Sequence, residues 1–202
     1  MKAISEILPL SRVVLDMEAS SKKRLFEQVA QLLHEQVGLP QSDVFDCLVA
    51  RERLGSTGLG HGVAMPHGRH ADVQAACGVF VRLKEAVDFD APDNKPVSLV
   101  FVLLVPESAT GEHLEILSHL AERFADKTVR DALLGTQDAA AARDRIGVRP
   151  LNFNGGQAHI SGSIRGLGIA AYSFSGSAGQ SIRMVPNGKN FAMEFALFNP
   201  QM

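Results

Sequence analysis

Two cysteines, Cys47 and Cys77, are all that 202 residues hold, too few to staple a chain of this length. Their scarcity points to a reducing compartment. No apolar run approaches the ~20 residues that span a bilayer; the longest, Leu99 to Val105, has seven. The first residues, Met1 to Glu6, show no basic-then-apolar leader pattern. Charge of neither sign dominates: 20 Lys and Arg face 22 Asp and Glu, a net charge of -2. That leaves no basic footprint for nucleic acid. Cytoplasmic location, without membrane insertion and without nucleic-acid binding, is the expectation. With 46% hydrophobic and 21% charged residues, the chain is globular in composition, which excludes wholesale disorder.

What is present changes character near residue 147. Residues 151–202 contain four charged side chains, Arg165, Arg183, Lys189 and Glu194, yet eight of the 18 glycines. A main domain over 1–147 and a glycine-rich, charge-poor tail over 148–202 follow. In the tail, Asn187-Gly188 marks a hairpin between Ser181–Val185 and Phe191–Phe198. Short strands over His159–Ile164 and Ile169–Phe174 would make it β-rich. Disorder is the open alternative.

The main domain alternates helix and strand, predicting an α/β fold with a central mixed sheet flanked by helices. Ser20 or Ser21 caps a helix with Leu25, Phe26, Val29, Leu32, Leu33 and Val37 at 3.6-residue spacing. Gly38 and Pro40 stop it. Ser42 is expected to cap the next helix, which carries Val44, Phe45, Leu48 and Val49 and ends near Gly55. Cys77–Leu83 reads as a strand, and Val97–Val105 as one buried on both faces. Leu114, Leu117, Leu120, Ala121 and Phe124 face inward from a helix. Thr128 and Thr136 each cap a short closing one.

Residues 55–68 read as a loop with glycines at 55, 58, 60, 62 and 68. Such density brings bare N–H groups close to a guest, most often an anion. Pro66 stiffens the approach to His67, and an imidazole is both neutral and nucleophilic near pH 7. A histidine presented to a phosphoryl group is the chemistry this predicts. Nucleotide motifs fail the comparison. Gly55 and Gly60 have the Walker spacing, but His61 and Gly62 stand where lysine and a hydroxyl are required. Gly166, Gly168 and Ala171 match a dinucleotide loop only loosely, and no acidic residue follows at the right distance. A zinc site from His67, His70 and Cys77 would need a second tight pair of ligands, and none is present.

The segment Arg51 to Gly68 resembles the active-site signature of the phosphotransferase-system enzyme IIA family, fructose/mannitol superfamily. It is most similar to the nitrogen-regulatory branch. Thr110 to Ser118 with Ala125 to Lys127, and Phe89 to Asn94 with Pro96-Val97, resemble that branch too. The resemblance covers about 3–146 and leaves the tail aside. It implies a phosphohistidine carrier in which His67 accepts a phosphoryl group from an HPr-like phosphocarrier protein, with Arg51 and His113 as catalytic partners. Read from the residues alone, Arg51 is a helix-end cation and His113 a helix-start residue; the resemblance raises both. Ser56 and Thr57 are expected to complete a phosphate cradle, without metal or cofactor. A patch of Leu59, Val63 and Met65 is expected to receive the partner protein. The role implied is regulatory, in nitrogen or potassium physiology, with regulatory protein targets. A sugar-specific IIA feeding a permease-linked IIB, and an anion-binding module without chemistry, are the alternatives.

Overall fold

The computed structural model describes residues 4–109, 112–147, 149–150 and 172–173. A short helix α1 (Ile4–Ile7) and a 3-10 turn (Leu10–Arg12) lead into strand β1 (Val13–Met17), which the sequence reading missed. Helix α2 spans Lys22–Val37. Ser21 caps it by accepting from the Arg24 N–H, and Gly38 ends it at φ 76°. Helix α3 (Gln41–Arg53) starts ahead of its expected cap. Pro40, extended at φ −60° and ψ 122°, occupies the capping position. Ser42 sits inside the helix with its hydroxyl donating to Asp43.

The glycine segment is more ordered than a loop. It folds into β2 (Gly58–Gly60) and β3 (Val63–Ala64), and His67 opens a third strand, β4 (His67–His70). His61 and Gly62 make the two-residue turn between β2 and β3, at φ 54° and 77°. Paired positive φ values are what a tight primed hairpin turn demands. The His61 N–H is pinned by the Asp93 carboxylate at 2.7 Å.

Strands β5 (Cys77–Val87) and β6 (Val97–Pro106) complete a six-stranded mixed sheet. β1 runs parallel to β5, β5 antiparallel to β6, and β2 antiparallel to β3. β3 and β4 lie in tandem, parallel to the far side of β6, with Val63 beside Leu99 and His67 beside Leu103. The break between them is Met65-Pro66.

Residues 99–105 of β6 are buried throughout and alternate between two cores. Val100, Val102 and Leu104 pack with Leu25, Phe26, Val29, Leu33, Val44 and Leu48 of α2 and α3. Leu99, Phe101, Leu103 and Val105 meet the opposite layer. That layer is α4 (Glu112–Ala125), α5 (Lys127–Gly135) and α6 (Ala139–Gly147). On α4 the inward stripe is Ile116, Leu120 and Phe124, with Leu117 and Ala121 alongside. Leu114, expected inside, is 59% exposed, because it lies two residues from Ile116, about 200° around the helix. The closing caps also differ from expectation. Asp126 caps α5, accepting from the N–H and hydroxyl of Thr128, and Asp138 accepts from the Ala140 N–H at the start of α6. A carboxylate meets the positive helix end better than a hydroxyl does.

In the tail, Arg149–Pro150 pairs in parallel with Tyr172–Ser173, inside the strand expected over 169–174. The other expected tail elements lie outside the described residues.

Candidate active site

Helix α3 ends at the edge of the sheet where β4 begins. Cys47, Ala50, Arg51 and Leu54 recur at helical spacing along one side of α3 and its C-cap. They form one wall of a cleft of about 450 Å³. His67, Gly68 and Arg69 of β4 form its floor. Leu103 and Val105 of β6 and Leu117 of α4 close the other side. His67 is half-buried, neither lost in the core nor free on the surface. Gly68 is required by contact: a Cβ there would collide with Cys47 Sγ. That thiol donates to the Arg69 carbonyl at 3.1 Å, and burial pushes its pKa up, keeping it protonated.

The His67 ring is held by both nitrogens. Nδ1 lies 2.9 Å from the Met65 carbonyl, and Nε2 lies 3.1 Å from Arg51 Nε. A carbonyl only accepts and a guanidinium only donates. The proton therefore sits on Nδ1, and the Nε2 lone pair faces the cation. Arg51 Nη1 donates to the Gly55 carbonyl at 3.0 Å, so the guanidinium bridges histidine and loop. His113 is the second residue of α4, one turn before Leu117; its side chain lies outside the described set.

Ser56 and Thr57 are occupied elsewhere. The Ser56 hydroxyl donates to the Phe89 carbonyl at 2.5 Å and accepts from the Gly58 N–H. Thr57 is buried, and its hydroxyl donates to Glu52 at 2.5 Å. Neither lines the cleft. Of the expected docking patch, only Leu59 is exposed, at 43%; Val63 and Met65 are buried at 1% and 5%. As β3 and the bridge to β4 they join the sheet, and Val63 and Met65 pack into the α4 side of the core. The apolar group at the cleft mouth is Leu54, 85% exposed.

Sequence reasoning overlooked Glu52, although it stands beside Arg51. Its side chain, 9% exposed, binds Lys22 Nζ at 2.9 Å. Burial opposes the Lys22 charge, but Asp90 and Glu52 outweigh it and raise the lysine pKa.

A family model for the phosphoenolpyruvate-dependent sugar phosphotransferase system, EIIA 2, matches residues 6–147. The nitrogen regulatory protein of Pseudomonas aeruginosa is 45% identical over 141 residues, 68% of this chain and 90% of that protein. The crystal structure of nitrogen regulatory protein IIA-Ntr from Neisseria meningitidis superposes with a TM-score of 0.69. Identity there is 60%, over 71% of this chain and 98% of that one. The crystal structure of IIA mannitol from Escherichia coli shares the fold, with a TM-score of 0.58 at 22% identity over 67% and 96% of the two chains. With its model match, its relatives and its mixed sheet all in agreement, the chain belongs to the EIIA 2 family of the phosphotransferase system.

Proposed function

We propose that this protein is a phosphohistidine carrier whose Nε2 of His67 takes a phosphoryl group from an HPr-like phosphocarrier protein, with a regulatory output in nitrogen or potassium physiology. The observation carrying this is the ring geometry: Nδ1–H fixed on the Met65 carbonyl and the Nε2 lone pair turned into the cleft beside Arg51. Among the described residues no helix is long and apolar enough to cross a membrane. The regulatory output rests on the similarity to nitrogen regulatory proteins. Residues 1–147 are the phosphocarrier unit in this reading.

The transfer is a displacement at phosphorus. The Nε2 lone pair forms the new N–P bond as the donor's N–P bond breaks. The donor ring keeps that electron pair and takes a proton from solvent. The His67 ring gains positive charge, which the Met65 carbonyl stabilises through Nδ1–H. Negative charge spreads over three phosphoryl oxygens, so catalysis is chiefly positioning and electrostatics. As phosphorus arrives, the Arg51 N–H leaves Nε2 for a phosphoryl oxygen. His113, in the first turn of α4, is assigned a second donor to that group. Ser56 and Thr57 hold the loop that presents these residues.

Incubation with phosphoenolpyruvate, the general phosphotransferase enzyme and the phosphocarrier is the test. Acid-labile, base-stable label is expected on wild type and on a chain cut after residue 147, and none on His67→Ala. Undiminished label on His67→Ala defeats the assignment.

A further inference from the structure

A ring of hydrogen bonds passes through the site and returns to its origin. The Glu52 carboxylate accepts from the Thr57 N–H at 3.2 Å and from its hydroxyl at 2.5 Å. The Thr57 carbonyl accepts from the Met65 N–H at 3.0 Å. The Met65 carbonyl accepts from His67 Nδ1, and His67 Nε2 accepts from Arg51 Nε. Arg51 precedes Glu52 on α3, which closes the ring. Within it, the Gly55 carbonyl steadies Arg51 Nη1.

The loop in this ring has little stiffness of its own. Residues 54–57 form no regular structure, and Gly55, at φ 145°, lets the chain turn but fixes nothing. Beyond the backbone pairing of β2 and β3, residues 54–57 are tied by side chains, and the Glu52 carboxylate, 9% exposed, takes both the N–H and the hydroxyl of Thr57. That carboxylate needs a cation, since an unpaired buried charge is strongly unfavourable. Lys22 supplies it at 2.9 Å. Its ammonium also donates to Asp90 at 2.9 Å and to the Phe89 carbonyl at 3.1 Å, 5.0 Å from the Phe89 ring centre. The same Phe89 carbonyl receives the Ser56 hydroxyl.

Building on the phosphocarrier reading, we propose that Glu52 and Lys22 form a positioning pair that sets both the carbonyl orienting His67 and the carbonyl orienting Arg51. Neither residue touches the phosphoryl group. Glu52→Gln keeps the shape but replaces one acceptor oxygen with an NH₂ that cannot accept from Lys22 or Thr57. The Thr57 tie loosens, and the two orienting carbonyls drift together.

The test is a double-mutant cycle read in two ways. In single-turnover transfer from the phosphorylated phosphocarrier, Glu52→Gln is expected to slow the saturated rate about tenfold, with half-saturation unchanged within about twofold. In an Arg51→Ala background the same change is expected to slow it less than about twofold, because the group being positioned is gone. In the unphosphorylated protein, nitrogen-15 NMR should show the Arg51 Nε–H protected from water exchange in wild type and exchanging freely in Glu52→Gln. Lys22→Met should repeat both signatures, and Glu52→Asp should recover part of them. Losses that multiply independently in the two backgrounds, or an Arg51 N–H equally protected in wild type and Glu52→Gln, overturn the proposal. Should Glu52→Gln not fold, Lys22→Met and Glu52→Asp carry the same readings. An unlabelled wild type would defeat the phosphocarrier reading alone, since the NMR comparison needs no phosphoryl transfer.

Discussion

His67 shows how two neighbours decide what an imidazole can do. The Met65 carbonyl selects the tautomer, and the Arg51 guanidinium marks the nitrogen that stays unprotonated. Arg51→Ala removes the nearest fixed cation from the charge that develops on phosphorus. By analogy with losing one oxyanion donor, transfer should slow by about 2–4 kcal/mol in barrier. Rapid-quench measurement of phosphohistidine formation checks this, and an unaltered rate would remove Arg51 from the mechanism. Gly68 makes a second residue-level prediction. A methyl there would be forced onto Cys47 Sγ, whose rotation would break its bond to the Arg69 carbonyl. Gly68→Ala should destabilise the fold by about 1–3 kcal/mol, the usual range for overpacking. Adding Cys47→Ala should restore most of that in urea denaturation, because it removes the colliding atom. A double variant no more stable than Gly68→Ala would mean that the strain lies in the backbone.

At the scale of the element, the informative cases are where helices begin. Asp126 caps α5, and its bonds with Thr128 hold the carboxyl below its ordinary pKa. A depressed folded-state value means that this stabilisation is complete above the unfolded-state pKa. It is lost as pH falls through the folded one. Asp126→Ala should therefore cost about 1 kcal/mol near pH 7. The gap from wild type should narrow below about pH 4, where the unfolded carboxyl takes up its proton. Chemical denaturation at pH 7, 5 and 3 measures the gap; one that stays constant with pH would count against the cap. Pro40 and Asp138 teach the same lesson at α3 and α6. Several capping residues lie close together in this sequence, and which one acts depends on the angle at which the chain enters the helix. Apolar spacing located α2, α3 and α4, but it does not carry that angle.

For the whole molecule, the cleft exists because the end of α3, the start of β4 and the N-terminal half of α4 meet beside β6, and its mouth carries Leu54, 85% exposed. In the proposed transfer, a partner protein bearing a phosphohistidine covers that mouth. Leu54→Asp should raise half-saturation for the phosphocarrier about tenfold, a loss of roughly 1.4 kcal/mol. The saturated rate should change less than about twofold, as expected for binding shared by ground and transition states. Steady-state transfer kinetics check this, and an unchanged half-saturation places the contact elsewhere. Much of this molecule was readable from residue order. The 3.6-residue spacing of Leu25 to Val37, the unbroken apolar run of β6 and the Arg51-to-Gly68 motif are local patterns, and local patterns survive without a fold. Fates set by distant partners were not readable. Val63 and Met65 look like surface residues of a glycine loop until β6 recruits their segment into the sheet. Leu114 fits an apolar stripe until the sheet selects which side of α4 it covers. Thr57 looks like a phosphate ligand until a carboxylate five residues earlier claims its hydroxyl. Sequence by itself determined that an imidazole and a guanidinium share one glycine-rich motif, because that is a property of side chains and their order. Tertiary structure alone decided which nitrogen of His67 meets the Met65 carbonyl and which meets Arg51, because hydrogen bonds are settled by proximity in space.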